Sequence, residues 1–334
     1  MKITVLGSGT WGISLAKVLC DAGYDVTVWS KFPEEAKKLD ETREAPNLPG
    51  VVIPSGVLFT SDPAEAAAET EYFLNAVPSI YVRETAACFA RIIVGKSIWI
   101  NASKGIESET LMTLTEVIED EFVRQGAERP ETVAMSGPTH AEEVARDMPT
   151  LIVVAGENDD LTVKIQKLFE NTCIRPYTNR DKRGVQICGA LKNVEALAVG
   201  IARGLGYGDN TRAAMITRGM EEIRRLGLAM GCDEHTFFGL AGIGDLIVTA
   251  TSVHSRNNRA GTLIGQGRTP EEALKEVGMV VEGVNALPAA IRLCEKYGMD
   301  MPLIHAVKDI IRSNADPKEI VQNLMNRKLK KETV

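Results

Sequence analysis

Two kinds of apolar spacing divide the chain. Ile3, Val5 and Leu6 make a short apolar strand. Ile13, Ala16, Leu19 and Cys20 then fall at helical spacing, Gly23 stops that helix, and Val26–Trp29 begin a second strand. The alternation continues. Short runs predict strands at Val57–Thr60, Tyr72–Val77, Ser97–Asn101, Thr132–Met135, Thr150–Val154 and Cys173–Tyr177. Helices are expected to start near Glu34, Asp62-Pro63, Ser79, Ser108, Thr139 and Asp159, each with a capping residue or a proline at its start. Such alternation predicts an α/β, Rossmann-like, doubly wound parallel sheet that places ligands outside the carboxyl ends of its strands.

From about Asp181 the valine-rich runs stop. Helical patterns take over at Val185–Arg203, Arg212–Ala229, Val284–Tyr297 and Leu303–Ser313, broken by glycine-rich spans at 204–208 and 239–244. The reading is therefore a dinucleotide-type domain over residues 1–180, followed by an all-α substrate domain over 181–334.

Composition narrows the class. A chain of 334 residues has ample length for two buried cores. A net charge of −7 speaks against a nucleic-acid footprint. The basic stretch 327–331 is read as a solvated helix end. No apolar run is expected to span a membrane, and the start shows no export signal. The six cysteines, Cys20, Cys88, Cys173, Cys188, Cys232 and Cys294, never form C-x-x-C, which fits reduced thiols in a cytoplasmic setting.

The first strand runs straight into Gly7-Ser-Gly9-Thr10-Trp11-Gly12, a G-x-G-x-x-G at the opening of a helix. In a strand–helix–strand unit this is the dinucleotide fingerprint. Gly7 permits the turn, Gly9 lets backbone approach a pyrophosphate, and Gly12 lets the helix pack on the strand. At the end of the second strand, where an acid would take the ribose 2′-hydroxyl, stand Ser30 and Lys31. Lys31 suits a 2′-phosphate, so NADP(H) is expected to be used at least as well as NAD(H).

Two charges interrupt apolar surroundings in the second half. Lys192 sits in a small-residue helix, and Asp245 in a stretch that looks equally buried. Each is costly alone, so they are expected to pair, either as a structural link or as a tuned acid and its partner. The run Ser255-Arg256-Asn257 before a helix offers hydroxyl, guanidinium and amide donors to a phosphate, or else a plain cap. Lys104 follows a strand, and Gly137, Thr139, His140 and Ala141 lie in a strand-to-helix loop; both fall at the edge where substrate belongs. No metal site is expected, since no histidine has ligand companions.

On these segments the chain resembles the bacterial-type NAD(P)-dependent glycerol-3-phosphate dehydrogenases, from its start to about residue 325. The ordered motifs are Gly7–Gly12, Asn75-Ala-Val-Pro-Ser79, Ser103-Lys-Gly105, Ser136-Gly-Pro-Thr139, Gly189-Ala-Leu-Lys-Asn193, Gly244-Asp-Leu246, Ser255-Arg-Asn257 and Val281-Glu-Gly283. The resemblance implies reduction of dihydroxyacetone phosphate to sn-glycerol 3-phosphate, feeding glycerophospholipid synthesis. It implies Lys192 as acid/base, and Lys104, Gly137, Thr139, Asp245, Ser255, Arg256 and Asn257 as substrate contacts. As cofactor contacts it implies Thr10, Trp11, Lys31, Lys104, Ala141, Arg256, Val280 and Glu282, and it implies a homodimer. Thr139-His140 stands where the family usually has Ser-Phe; threonine keeps the hydroxyl, and His140 is unexplained. A β-hydroxyacid or 6-phosphogluconate-type dehydrogenase, or a non-catalytic NADP-binding sensor, is the alternative reading of the same residues.

Overall fold

Eight short strands form one sheet in the order β3-β2-β1-β4-β5-β6-β7-β8. They are β1 (Lys2–Leu6), β2 (Asp25–Trp29), β3 (Val57–Thr60), β4 (Tyr72–Asn75), β5 (Ile98–Asn101), β6 (Glu131–Ser136), β7 (Thr150–Ala155) and β8 (Ile174–Asn179). The structure is a computed structural model that describes residues 1–329 and 331–332. The end of the 181–334 unit (Thr333, Val334) and Lys330 of the basic stretch lie outside the described residues. The sheet's helices are α1 (Thr10–Asp21), α2 (Pro33–Thr42), α3 (Pro63–Ala67), α4 (Val82–Ala90), α5 (Leu114–Arg124), α6 (Ala141–Val144) and α7 (Asp159–Lys167).

Both sheet faces are covered, which is why the strands read as apolar runs rather than alternating ones. Ile13, Leu19, Leu161 and Ile165 pack with Val5, Val28 and Val154 on one face. Phe89, Ile118 and Phe122 pack with Phe73 and Trp99 on the other, where the Phe73 and Trp99 rings stack at 5.3 Å. The register ties Leu6 to Trp29 and Asn75, and Asn75 to Asn101. The loops after β1, β2, β4 and β5 therefore emerge side by side along one edge.

Two expectations about residues 1–180 need correction. The sheet is not wholly parallel, because β7 pairs with β6 antiparallel. Residues 137–149 hold only the four-residue α6, which packs on α1 rather than forming a sheet-covering crossover; Ser14 Oγ donates to Ala141 O at 2.9 Å. A parallel return needs a real crossover, so the chain doubles back. The helix expected from Ser108 starts instead at Leu114. Ile106 pairs with Thr113, Leu111 takes φ 62°, and Thr113 N donates to Glu116 at 2.8 Å, forming a capping box.

The other helices follow: α8 (Lys182–Gly204), α9 (Asp209–Ala229), α10 (Glu234–Phe237), α11 (Asp245–Thr251), α12 (Arg256–Gly265), α13 (Pro270–Val277), α14 (Glu282–Tyr297), α15 (Pro302–Ser313) and α16 (Pro317–Met325). They surround α8, which is buried without a break from Gly184 to Ala202. Contrary to the composition reading, α8 is long and apolar enough to cross a membrane, but its apolar window is wholly buried in this helical core. Helix α12 lies directly against it. A Cβ on Gly261 would sit 2.2 Å from Leu197 O, and one on Gly200 would sit 2.3 Å from Asn258 O. Only glycine allows that approach, and it brings the start of α12 beside Lys192 and Asn193.

Candidate active site

A cavity of about 670 Å³ opens between the carboxyl edge of the sheet and helices α8, α11, α12 and α14. Its nucleotide-facing wall is the turn after β1. Gly7 has φ 110°, and a Cβ on Gly12 would lie 2.0 Å from Gly7 O, so α1 packs on its strand only through these glycines. Gly9 is the N-cap of α1 and takes no side-chain cap bond, and a Cβ at this position would meet nothing within 4 Å among the described residues. Open space in front of uncapped helix amides is what a pyrophosphate requires. Thr10 and Trp11 also line the cavity, whereas Gly12 serves packing behind it.

Deeper in, one carboxylate holds two lysines. Asp245, fully buried at the start of α11, receives Lys192 Nζ on Oδ1 at 2.5 Å and Lys104 Nζ on Oδ2 at 2.6 Å. Thr249, one turn on along α11, accepts from Lys192 Nζ at 2.6 Å and donates to Asp245 O at 2.7 Å. Lys104 Nζ also donates to Gly137 O at 3.1 Å and to Thr139 Oγ1 at 3.4 Å. Burial lowers the pKa of the Lys192 amine to about 7, the Lys104 cation pushes the same way, and Asp245 resists. Two cations on one anion leave a positive floor for an anionic substrate.

The predicted residues divide. Lys104, Thr139, Lys192, Ser255, Arg256 and Asn257 all line the cavity. Asp245 and Gly137 are not among its lining residues; Asp245 accepts from both lysines and Gly137 O accepts from Lys104. Ser255 caps α12 by accepting from Asn258 N at 3.2 Å. Both ends of the Asn257 amide are also engaged: Nδ2 donates to Asn193 at 2.9 Å, and Oδ1 accepts from Gly283 N at 2.8 Å. That leaves Arg256, exposed in the cavity wall with no side-chain partner among the described residues.

Among expected cofactor contacts, Lys31, Ala141, Val280 and Glu282 line the cavity. Glu282 accepts from Ser79 N at 3.1 Å and Ser79 Oγ at 2.6 Å, joining α14 to the turn after β4. Lys31 pairs with Glu84 at 2.5 Å, a partner that sequence reasoning did not supply. It also missed Glu35 and Thr249. Thr249 alone left a usable signal, a hydroxyl one helical turn from Asp245. His140 finds a place: its ring lies 5.8 Å from that of His254, Nε2 is 3.4 Å from Val248 O, and burial lowers its pKa.

Comparison with known proteins matches the chain in two parts. Residues 2–162 match the family described as NAD-dependent glycerol-3-phosphate dehydrogenase N-terminus, and residues 181–322 match the corresponding C-terminus. A glycerol-3-phosphate dehydrogenase (NAD(P)+) 2 of Lactobacillus delbrueckii subsp. bulgaricus is 55% identical over 332 residues, covering 99% of this chain and 98% of that one. A glycerol-3-phosphate dehydrogenase (NAD(P)+) of Fusobacterium nucleatum is 45% identical over 333 residues, covering 99% and 98%. The crystal structure of glycerol-3-phosphate dehydrogenase from Coxiella burnetii superposes with a TM-score of 0.93 at 33% identity, covering 98% of this chain and 99% of that one.

Proposed function

The chain belongs to the NAD-dependent glycerol-3-phosphate dehydrogenase family, and from that premise we propose how its residues divide the work. It is an NAD(P)-dependent oxidoreductase that interconverts dihydroxyacetone phosphate and sn-glycerol 3-phosphate. In this reading Lys192 is the acid/base. The observation that carries it is a buried amine with its pKa lowered to about 7 in the cavity wall, 2.5 Å from a carboxylate.

When bound, the dinucleotide supplies the hydride that reduces C2 of the ketone. The Gly7–Gly12 turn and the α1 amides hold its pyrophosphate. Lys192 donates a hydrogen bond to the ketone oxygen and transfers its proton as negative charge builds there, so that C2–O becomes an alcohol. Asp245 and Thr249 fix the direction of the amine, and Lys104 adds a second positive charge. Arg256 takes the substrate phosphate with a planar fork of donors, and this remote contact sets the ketone against Lys192. In the oxidative direction the neutral Lys192 amine accepts the hydroxyl proton.

The same reading assigns residues 1–180 to the dinucleotide and 181–334 to the substrate. It is supported by the end of β8 at Asn179 and the start of α8 at Lys182. Six free thiols support a cytoplasmic setting, and a homodimer and a role in glycerophospholipid synthesis follow from the family resemblance. Optical assays of NADH and NADPH oxidation test the assignment. Dihydroxyacetone phosphate is expected to be turned over and 3-keto acids are not. Turnover of the acids, or of neither, would refute it.

A further inference from the structure

The carboxylate missing from the end of β2 is supplied from further along the chain. Glu35, in the first turn of α2, lines the cavity. Its Oε2 accepts from Ser30 Oγ at the end of β2 at 2.7 Å, and from Ser8 Oγ in the glycine turn at 2.8 Å. The three residues join the strand end, the glycine turn and the helix start where a bound adenosine ribose would pass between turn and strand end. Oε1 takes no hydrogen bond among the described residues, so one carboxylate oxygen stays available to accept. The nearby Lys31 ammonium is matched by Glu84 at 2.5 Å, and Glu84 also lines the cavity. The corner thus holds two carboxylates against one lysine.

We propose that Glu35 is the specificity-determining residue for the dinucleotide: it accepts from the adenosine ribose 2′-hydroxyl and makes this site select NAD(H) over NADP(H). The inference rests on the dehydrogenase reading above and deepens it. A ribose diol presents donors that a carboxylate satisfies, whereas a 2′-phosphate places a second anion against Glu35, with Lys31 shared with Glu84. Ser8 and Ser30 act as positioning residues, since both donate to the same oxygen and aim the other.

The test uses the full chain and two readouts: fluorescence titration with NADH and NADPH, and kcat/KM for each with dihydroxyacetone phosphate. Wild type is expected to bind NADH more tightly. Glu35→Gln is expected to weaken NADH and strengthen NADPH, moving the ratio by about tenfold or more. Glu34→Gln removes the same charge from the same turn, but from a side chain outside the cavity wall, and is expected to leave the ratio unchanged. Equal wild-type binding of the two nucleotides overturns the proposal. So does a Glu35→Gln shift no larger than that of Glu34→Gln, which would reduce the effect to a general field. Because binding needs no turnover, the two readings separate. A Glu35-dependent preference for NADH in a chain that cannot reduce dihydroxyacetone phosphate sustains the selectivity and sinks the reaction, and full turnover with equal binding does the reverse.

Discussion

Lys192 Nζ stands 2.5 Å from Asp245 Oδ1, with neither side chain more than 5% exposed. Such a pair is costly to desolvate and strongly destabilising to break from one side, by about 3–5 kcal/mol. Here Asp245 also bridges Lys192 and Lys104. Asp245→Asn is therefore expected to lower the melting temperature by several degrees and to move the Lys192 titration downward, because the group that resists the shift is gone. Calorimetry and the pH profile of kcat check it together. A variant with an unchanged profile would show that Asp245 does not govern the amine.

The wild-type pH dependence follows from the same amine. Burial lowers its pKa to about 7, so the proton needed for ketone reduction is present below that pH and lost above it. Reduction is expected to fall as pH rises through about 7, and oxidation of the alcohol, which needs the neutral amine, is expected to rise over the same range. Initial rates in both directions, at saturating nucleotide, measure this. Parallel profiles for the two directions would contradict it.

Arg256→Ala is expected to raise KM for dihydroxyacetone phosphate by about tenfold to a hundredfold, the loss of one charge-assisted contact. Arg256→Lys should recover only part, since an ammonium cannot bind two phosphate oxygens in one plane. Dihydroxyacetone, which lacks the phosphate, is the control. Equal losses on both ketones would place Arg256 with the nucleotide or the fold.

Glu195 is buried on α8, and neither carboxyl oxygen has a hydrogen-bond partner among the described residues. Burial holds its carboxyl well above 4.5, and burial likewise raises Glu222 on α9 to about 7. The folded state therefore keeps protons that the unfolded chain releases. Their stabilising effect is full below about pH 4.5 and is lost as pH rises through the folded values. Glu195→Leu is expected to stabilise the chain by about 1–3 kcal/mol near neutrality and to flatten the fall in melting temperature as pH rises above about 4.5. An unchanged slope would mean that Glu195 is not the group that titrates.

Period and punctuation made much of the fold legible. The strands of the sheet and the longest helices follow from apolar spacing, because covered parallel strands and buried helices leave unmistakable runs. The reversal of β7 was not legible, since nothing in residues 137–149 announces which way a strand returns; only the one-turn α6 does. At the site, Lys192 and Asp245 stood out because isolated charges in apolar segments demand a partner. Arg256 stood out as part of a polar run at a helix start. The engagement of Ser255 and Asn257 in capping and bridging was hidden, because it depends on how closely α12 lies on α8. Glu35 was hidden for a similar reason. It lies beyond the strand end and reads as a helix N-terminal acid until its bonds to Ser8 and Ser30 are seen.

Delivery of the proton by Lys192 is tested most directly by the kcat of Lys192→Ala for dihydroxyacetone phosphate reduction, alongside its nucleotide dissociation constant. Lys192 enters the cavity from α8 rather than from the glycine turn, so nucleotide affinity should hold while kcat falls by about a hundredfold to ten-thousandfold. A variant that binds nucleotide normally and keeps about a tenth of wild-type turnover would contradict that role, since loss of a positioned acid costs far more than that.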